Sequence, residues 1–378
     1  MKASFILALA GLSAAQLDGF DWDVIDAAGS PAVETVPAGV VPATTVKYSP
    51  QTAISSVAND VTQSPLSQAT AEPTPGAAGR RRRWAGVRRD ACQPQPLGSG
   101  PTAVPDTAQG FLDFADFTTA ANEQAQDQHV PAGYKVSFSN AKGSIERAGK
   151  LMGWELLTSY DAGYCASRCN KIAGCRSFNL YFERSPSLDP ADSCPSPAST
   201  TVIKCVFWGQ AVSANLATNV GQWRGSQFQV VIAGSNGYNK FGTPAIPKYN
   251  GPVDLGNAAI QAPLDCSGYD TYLGVKTFKD VPFDPSLCAA ACTAQSDYNR
   301  AHPPSSGYVK TCQFFTTYML IKNGEPQFQE CALYTMAWDA SYAKNTGQYR
   351  GQDHYTIDQS FSFTNATSPG APRYPCSG

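Results

Sequence analysis

A tandem repeat of short blocks constrains the fold of this chain more than any other sequence feature. Residues 160–169 match residues 283–292 at an offset of 123, and both blocks end in Cys-x-x-x-Cys. Residues 221–225 (Gly-Gln-Trp-Arg-Gly) match residues 347–351 (Gly-Gln-Tyr-Arg-Gly) at an offset of 126. Two further blocks that open with cysteine lie between these in both copies: 175–178 with 312–315, and 205–208 with 331–334. Four ordered matches indicate a tandem duplication.

Each copy is predicted to contain one helix packed on an antiparallel sheet. The Cys-x-x-x-Cys pairs lie in alanine-rich stretches that favour helix, and Asp161 and Asp284 precede them where an N-cap is expected. Spacing i, i+4 places both sulfurs on one helical face, so these cysteines should bond outward to neighbouring strands. The expected strands are short alternating or aromatic runs: residues 175–182, 205–208, 228–232, 312–319 and 331–334.

This arrangement resembles the PAN/Apple superfamily. The resemblance rests on a helix with Cys-x-x-x-Cys, a strand that opens Cys-x-x-Phe and a later strand that opens Cys-x-Leu/Phe-Trp/Tyr, and it covers residues 150–235 and 266–376. Residues 178–186, 203–208 and 231–238 also resemble a group of secreted filamentous-fungal proteins, some of them proposed as effectors. The implied fold class is α+β, with two tandem disulfide-rich PAN/Apple-like modules after a disordered pro-segment. The expected domains are a preface plus first module (90–238), a linker (239–263) and a second module (264–378).

The resemblance also implies a disulfide pattern. In the superfamily the first helical cysteine joins the later strand, the second joins the nearer strand, and a further bridge staples the ends of the six-cysteine form. Carried over, this gives Cys165 with Cys205, Cys169 with Cys175, Cys288 with Cys331, Cys292 with Cys312, and Cys266 with Cys376. Cys92 and Cys194 have no counterpart in the other copy and are paired by elimination. Zinc is not expected, because the spacing is wrong for zinc ribbons and the compartment is oxidising.

The N-terminus has the pattern of a secretory signal peptide. Met1-Lys2 is followed by a mostly apolar run over residues 3–12 and by small residues that allow cleavage after Ala15. The run is too short to span a bilayer, and no later segment is long and apolar enough, so no membrane span is expected. The protein is therefore expected to be secreted and extracellular.

The segment that follows is predicted to be a disordered pro-segment, residues 16–89. It contains no cysteine, and residues 16–79 carry seven acidic side chains against Lys47 alone. It ends in arginines at 80–83 and 88–89, which resemble processing sites of kexin-type proteases. A basic patch for anionic surfaces is the alternative. Processing after Arg83 and Arg89 would give a secreted form that begins at or near Asp90.

No catalytic site, metal or cofactor is expected. His129, His302 and His354 are far apart in sequence, and no Gly-x-Ser-x-Gly nucleophile motif accompanies them. Glu183 and Asp189 fall in a Pro/Ser-rich insertion with nothing to tune them as an acid–base pair. Residues 234–238 are Gly-rich but lack the Lys-Ser/Thr pair that ends a phosphate-binding loop, so a turn is predicted. A formal net charge of -2 provides no field that would hold nucleic acid.

The function expected is recognition without catalysis. The chain is expected to bind an extracellular protein or polysaccharide, a role that would suit a fungal effector. An extracellular hydrolase with an unrecognised carboxylate site, or a cell-wall structural protein, is the alternative. Five aromatic residues are candidates for a sugar-stacking platform, although such residues more often pack small disulfide cores: Trp154, Trp208, Trp223, Trp338 and Tyr349. Asn365 lies in the only glycosylation sequon of the sequence. A short amphipathic helix is expected within residues 107–126.

Overall fold

A computed structural model describes residues 20–66 and 92–376. The proposed processing residues Ala15, Arg83 and Arg89 lie outside these ranges. The helices are α1 (Trp22–Ala28), α2 (Pro50–Gln63), α3 (Ala108–Leu112), α4 (Ala115–Gln124), α5 (Ala162–Lys171) and α6 (Pro285–Ala301). The strands are β1 (Thr44–Thr45), β2 (Tyr134–Ala141), β3 (Leu151–Leu157), β4 (Ser177–Pro186), β5 (Ser199–Trp208), β6 (Trp223–Arg224), β7 (Phe228–Gln229), β8 (Ile232–Lys240), β9 (Tyr249–Gly256), β10 (Ala259–Ile260), β11 (Tyr272–Phe278), β12 (Phe314–Lys322), β13 (Glu325–Tyr334), β14 (Ala343–Asn345), β15 (Gly347–Arg350) and β16 (Asp353–Asn365).

Two antiparallel sheets with the same internal order form the body of the protein. The first sheet runs β1-β3-β5-β4-β8-β2 and the second runs β11-β13-β12-β16-β15, with β9 also paired to β16. Five strands of the first sheet, β3-β5-β4-β8-β2, thus have counterparts in β11-β13-β12-β16-β9. Register repeats as well: Leu180 lies opposite Cys205 in the first sheet, and Thr317 lies opposite Cys331 in the second. The sequence repeat is therefore also a repeat of topology.

One helix precedes the central strand pair of each sheet, as the sequence predicts. The Asp161 side chain accepts a hydrogen bond from Tyr164 N at 2.9 Å and begins α5, and Asp284 accepts one from Ser286 N at 2.9 Å and begins α6. Each cap satisfies a backbone donor that the first helical turn leaves free. The expected N-caps are confirmed.

Six cysteine pairs lie at disulfide distance, and they are the five pairs that the resemblance implies and the pair that was left by elimination. Their Cα atoms are 5.2–6.0 Å apart, within the usual range for disulfides. The first cysteine of each helix pairs with a cysteine within β5 or β13. The second pairs with a cysteine that lies two residues before the start of β4 or β12. The four helix-to-strand bridges lie in the hydrophobic core between helix and sheet. The fold is thus a mixed α+β arrangement, rich in disulfides.

The first sheet is buried on both faces, which explains why its strands lack a clear alternation of apolar and polar residues. One face packs against α5 and the aromatic residues of α3 and α4, and the other packs around Trp208 and Tyr181. Every residue of β4 is buried. Strands covered on both faces read as continuous runs rather than alternating patterns.

The prediction of disorder is wrong for residues 20–66. Helix α1 places Phe20 and Ile25 against the second sheet, β1 pairs with β3 of the first sheet, and α2 packs Val57 and Val61 against α6. Apolar residues are sparse in this segment, but their spacing puts them on one side of each helix. Composition alone indicated disorder because it does not report that spacing.

Polar contacts also join residues 20–66 to both sheets. Glu34 accepts hydrogen bonds from Lys150 Nζ at 2.5 Å and from Leu151 N at 2.6 Å, next to the first sheet. The Tyr48 hydroxyl donates to Asp284 Oδ2 at 2.7 Å, at the start of α6. We call residues 20–66 the N-terminal strap, since they run across both sheets.

Four further expectations differ from the structure. The linker is partly sheet, because β9 lies within it and pairs with β16. Residues 234–238 form the buried middle of β8 rather than a turn, and Asn236 is satisfied there by a hydrogen bond from its amide to Ala121 O at 2.7 Å. Glu183 lies in β4 rather than in an insertion, 2.8 Å from Lys204 Nζ. The single helix expected over 107–126 is divided into α3 and α4.

A buried carboxyl beneath α1 gives a pH-dependent prediction. Burial raises the pKa of Glu330 to about 7, although the hydrogen bond from the Tyr318 hydroxyl acts in the opposite direction. The folded state therefore binds this proton more tightly than the unfolded state, so stability is lost as pH rises from about 4.5 to about 7, by about 3 kcal/mol. We expect Glu330→Gln to remove this loss, since glutamine still accepts from Tyr318. Urea unfolding at about pH 5 and about pH 8 tests this; the same pH dependence in both proteins would contradict it.

Candidate functional site

The repeated Gly-Gln-aromatic-Arg-Gly blocks form two equivalent hairpins. In the first, β6 pairs with β7 so that Trp223 lies opposite Gln229. In the second, β15 pairs with the beginning of β16 so that Tyr349 lies opposite His354. We call these the Trp223 hairpin and the Tyr349 hairpin. Both protrude from corresponding places in the two sheets, just before β8 and at the start of β16.

Backbone geometry requires the first glycine of each block. Gly221 has φ +100° and Gly347 has φ +117°, a region that L side chains rarely adopt. A Cβ at either position would lie 2.1 Å from a carbonyl oxygen of the facing strand, that of Val230 or of Tyr355. The closing glycines adopt positive φ in the same way, +63° at 225 and +64° at 351. The closing glycines thus share one conformation, but the turns differ in length, since residues 225–227 separate Arg224 from Phe228 and residues 351–352 separate Arg350 from Asp353.

An asparagine precedes each block, and the sequence analysis missed it. Asn219 Oδ1 accepts a hydrogen bond from Gly221 N at 3.1 Å, and Asn345 Oδ1 accepts one from Gly347 N at 3.1 Å. The two asparagines are separated by the same offset as the blocks, so extending the comparison by two residues would have found them. This hydrogen bond stabilises the backbone conformation at the start of each hairpin.

Each hairpin presents an exposed aromatic ring. Trp223 is 61% exposed and Tyr349 is 70% exposed. The Tyr349 ring stacks on His354 with centroids 4.2 Å apart, which holds one face of the ring and leaves the rest in solvent. Large aromatic side chains usually gain by burial, so two exposed rings at corresponding places in the repeat are the candidate binding positions.

The arginine beside each aromatic ring anchors the hairpin. Arg224 forms an ion pair with Asp189 at 2.6 Å, and Arg350 forms one with Asp26 of the N-terminal strap at 2.6 Å. The hydrogen bond from Arg350 lowers the pKa of Asp26. The guanidinium of Arg350 also lies over the Trp22 ring, 4.8 Å from its centroid. Both arginines thus hold their hairpins on the body of the protein.

The other aromatic candidates pack inside the fold. Trp208 is fully buried in the first sheet. Trp154 Nε1 donates to Pro42 O of the N-terminal strap at 3.0 Å, and Trp338 Nε1 donates to Thr271 Oγ1 at 3.0 Å. The five aromatic residues therefore do not form one platform. Only Trp223 and Tyr349 of this set are exposed.

The polar candidates are dispersed. His302 and His354 are exposed and His129 is half-buried, and His129 and His302 each contact a backbone carbonyl oxygen in the last turn of the preceding helix. Glu183 and Asp189 pair with different cations, Lys204 and Arg224, so they do not form a carboxylate dyad. Asn365 lies at the end of β16, and its Oδ1 accepts from Thr367 N at 2.9 Å.

Over residues 20–66 and 92–376, the structure has no group of three or more potential metal ligands. In the same ranges, no helix is both long and apolar enough to cross a membrane. Comparison with protein-family models, with curated proteins and with solved structures finds no match to this chain. The two hairpins are thus identified as the candidate site from their geometry alone.

Proposed function

We propose that this chain is a secreted, non-catalytic recognition protein, and that the Trp223 and Tyr349 hairpins hold an extracellular glycan. The observation that carries the proposal is the equivalent placement of two exposed aromatic rings on glycine-fixed turns. The Tyr349 ring is held by stacking on His354 before any ligand arrives, so little entropy of this side chain is lost on binding. Neighbouring glutamines at 222 and 348 supply hydrogen-bonding groups for sugar hydroxyls.

The proposal includes two PAN/Apple-like modules, one on each sheet. It is supported by the shared strand order, by the shared register and by the matching helix-to-strand disulfides. The six disulfides also favour an extracellular location, where such bonds persist. Because one chain carries two similar sites, a repetitive ligand would engage both, and the second contact would form at a raised effective concentration. This favours a polysaccharide over a single small sugar.

A protein ligand is the second candidate, since exposed tryptophan and tyrosine also anchor protein interfaces. The hydrolase alternative is less well supported, because Glu183 and Asp189 are each neutralised by a separate cation. A cell-wall structural role predicts retention in the wall without a defined binding site.

Substitution of the two rings tests the proposal. We expect Trp223→Ala and Tyr349→Ala each to lower polysaccharide affinity by about tenfold or more, and the double variant to abolish binding, because stacking and avidity are both lost. Tyr374→Ala is the matched control, since it removes an exposed aromatic ring outside the hairpins. Pull-down with cell-wall polysaccharides and titration with their oligosaccharides give the measurement. Unchanged binding by the double variant, or turnover of the bound glycan, would contradict the proposal.

A further inference from the structure

A cleft between the first sheet and the start of α6 is lined by residues from three parts of the chain. Its volume is about 610 Å³. The first sheet and the loops around it contribute Tyr134, Arg176 and Lys240, the residues around the start of α6 contribute Asp284, and the N-terminal strap contributes Tyr48. A space of this size accommodates a small ligand rather than a single ion.

Two cations line this cleft, and neither has an acidic partner. Arg176 is only 9% exposed and donates from Nη2 to Gly242 O, and its Nε has no hydrogen-bond partner among the described residues. Lys240 Nζ donates to Cys175 O at 3.0 Å. In the part of the chain that the structure describes, neither side chain lies within 4.0 Å of a carboxylate oxygen.

The surroundings disfavour the charged forms of these two side chains. Burial and, to a lesser extent, the charge of Arg176 together lower the pKa of Lys240 to about 8. Burial likewise lowers the pKa of Arg176, although Asp284 opposes this. The Asp284 carboxylate is itself engaged by the Tyr48 hydroxyl and by Ser286 N. Two neighbouring, partly desolvated cations without an ion pair are stabilised most by an anion.

We propose that this cleft binds an acidic saccharide, whose carboxylate or sulfate group contacts Arg176 and Lys240. The Phe241 side chain lines the same cleft and provides apolar surface for a sugar ring. Phe241 is largely exposed there. The cleft is separate from the Trp223 and Tyr349 hairpins, so this proposal and the proposed function can fail independently.

Titration of the full-length protein with three oligosaccharides of equal length tests the proposal. One probe carries uronic acids, one carries sulfates and one is neutral. We expect at least one charged probe to bind, about tenfold or more tightly than the neutral probe, because charge-assisted hydrogen bonds are the stronger ones. The charged probe that binds identifies which oxyanion the cleft accepts. Equal binding of the neutral probe by protein that also carries Trp223→Ala and Tyr349→Ala, or no binding of either charged probe, would overturn the proposal.

Single lysine substitutions show where the charged probe binds. Lys240→Met should lower affinity for the charged probe about tenfold, while Lys135→Met, which removes an exposed lysine of β2 outside the cleft, should not. Trp223→Ala combined with Tyr349→Ala should leave this binding unchanged. Near-ultraviolet circular dichroism shows whether each variant retains the native packing. If folded Lys240→Met binds as tightly as the unchanged protein, the site is not this cleft.

The pH dependence gives a readout that a merely structural lysine would not produce. Affinity should fall between about pH 6.5 and about pH 9.5 as Lys240 loses its proton, and Lys240→Met should remove most of this fall. The other titratable groups that face the site are Tyr48, Tyr134, Arg176 and Asp284. Burial raises the pKa values of both tyrosines, so they remain neutral, and a guanidinium remains protonated. The same pH dependence in Lys240→Met would contradict the assignment.

Discussion

Cutting the chain within residues 67–91 is expected to leave the N-terminal strap bound to the rest of the protein. The strap buries Ile25 against the second sheet and Val57 and Val61 against α6, and it adds β1 to the first sheet. Its ion pairs join Glu34 to Lys150 and Asp26 to Arg350. A cut outside these contacts removes only the effective concentration that the covalent connection provides. A two-chain complex is the expected product.

Limited proteolysis at the arginines gives the measurement. All twelve cysteines lie at Cys92 or later, so no disulfide connects the strap to the remainder. We expect the strap to co-elute with the remainder in gel filtration and to separate from it under denaturing conditions. Loss of the strap from the native peak of the cut, unsubstituted protein would contradict the prediction.

Two substitutions on α2 provide the control for this experiment. Val61→Asp should cause loss of the strap after cutting, because it places a charge in the fully buried contact with α6. Ser56→Asp adds the same charge at an exposed position of the same helix and should retain the strap. Release by both variants would show that net charge, rather than the buried contact, controls retention.

This result bears on maturation. The expected start of the secreted form at or near Asp90 remains a prediction, and N-terminal sequencing tests it. If processing occurs and the strap stays bound, sequencing of the native complex will give two N-termini rather than one. The strap would then be a subunit of the secreted protein, although it lies N-terminal to the processing site.

The helices and the central strands could be predicted from sequence because the cysteine spacing, the alanine content and the capping aspartates are local signals. The strap could not, because its contacts with α6 and the second sheet connect residues more than 200 positions apart. Glu183 was assigned to an insertion for a related reason. A carboxylate is unfavourable in a buried strand unless a cation pairs with it. The cation here is Lys204, which lies 21 residues away, so the residues next to Glu183 do not indicate it.

The candidate hairpins are visible in the sequence as repeated blocks, but the exposure of their aromatic rings is not. Trp208 and Trp223 are equally aromatic, and only the fold shows that one is buried and the other exposed. The glycines and the preceding asparagines carry a local signal for a turn. Exposure depends instead on how the turn sits against β8 and β16, which involves the whole sheet.

Lys204→Met is expected to lower the free energy of unfolding by about 3–5 kcal/mol, among the largest effects for a single substitution in this protein. The Lys204 side chain is 0% exposed and that of Glu183 is 3% exposed, with Nζ 2.8 Å from Oε2. Lys204 Nζ also donates to Pro37 O at 2.8 Å, and Gly39 N donates to Glu183 Oε1 at 2.5 Å. Removal of the cation leaves a buried carboxylate without its charge partner. It also removes a contact that holds the N-terminal strap.

Urea unfolding of three variants separates the ion pair from side-chain size. Lys204→Met combined with Glu183→Gln should recover much of the loss, because no unpaired charge remains and the glutamine oxygen still accepts from Gly39 N. Lys142→Met is the matched control, since it breaks an exposed pair with Asp113 and should change stability by about 0–1 kcal/mol. A small effect of Lys204→Met, similar to that of the control, would show that water reaches the pair. A double variant as unstable as Lys204→Met alone would instead assign the loss to packing around the lysine stem and to the contact with Pro37.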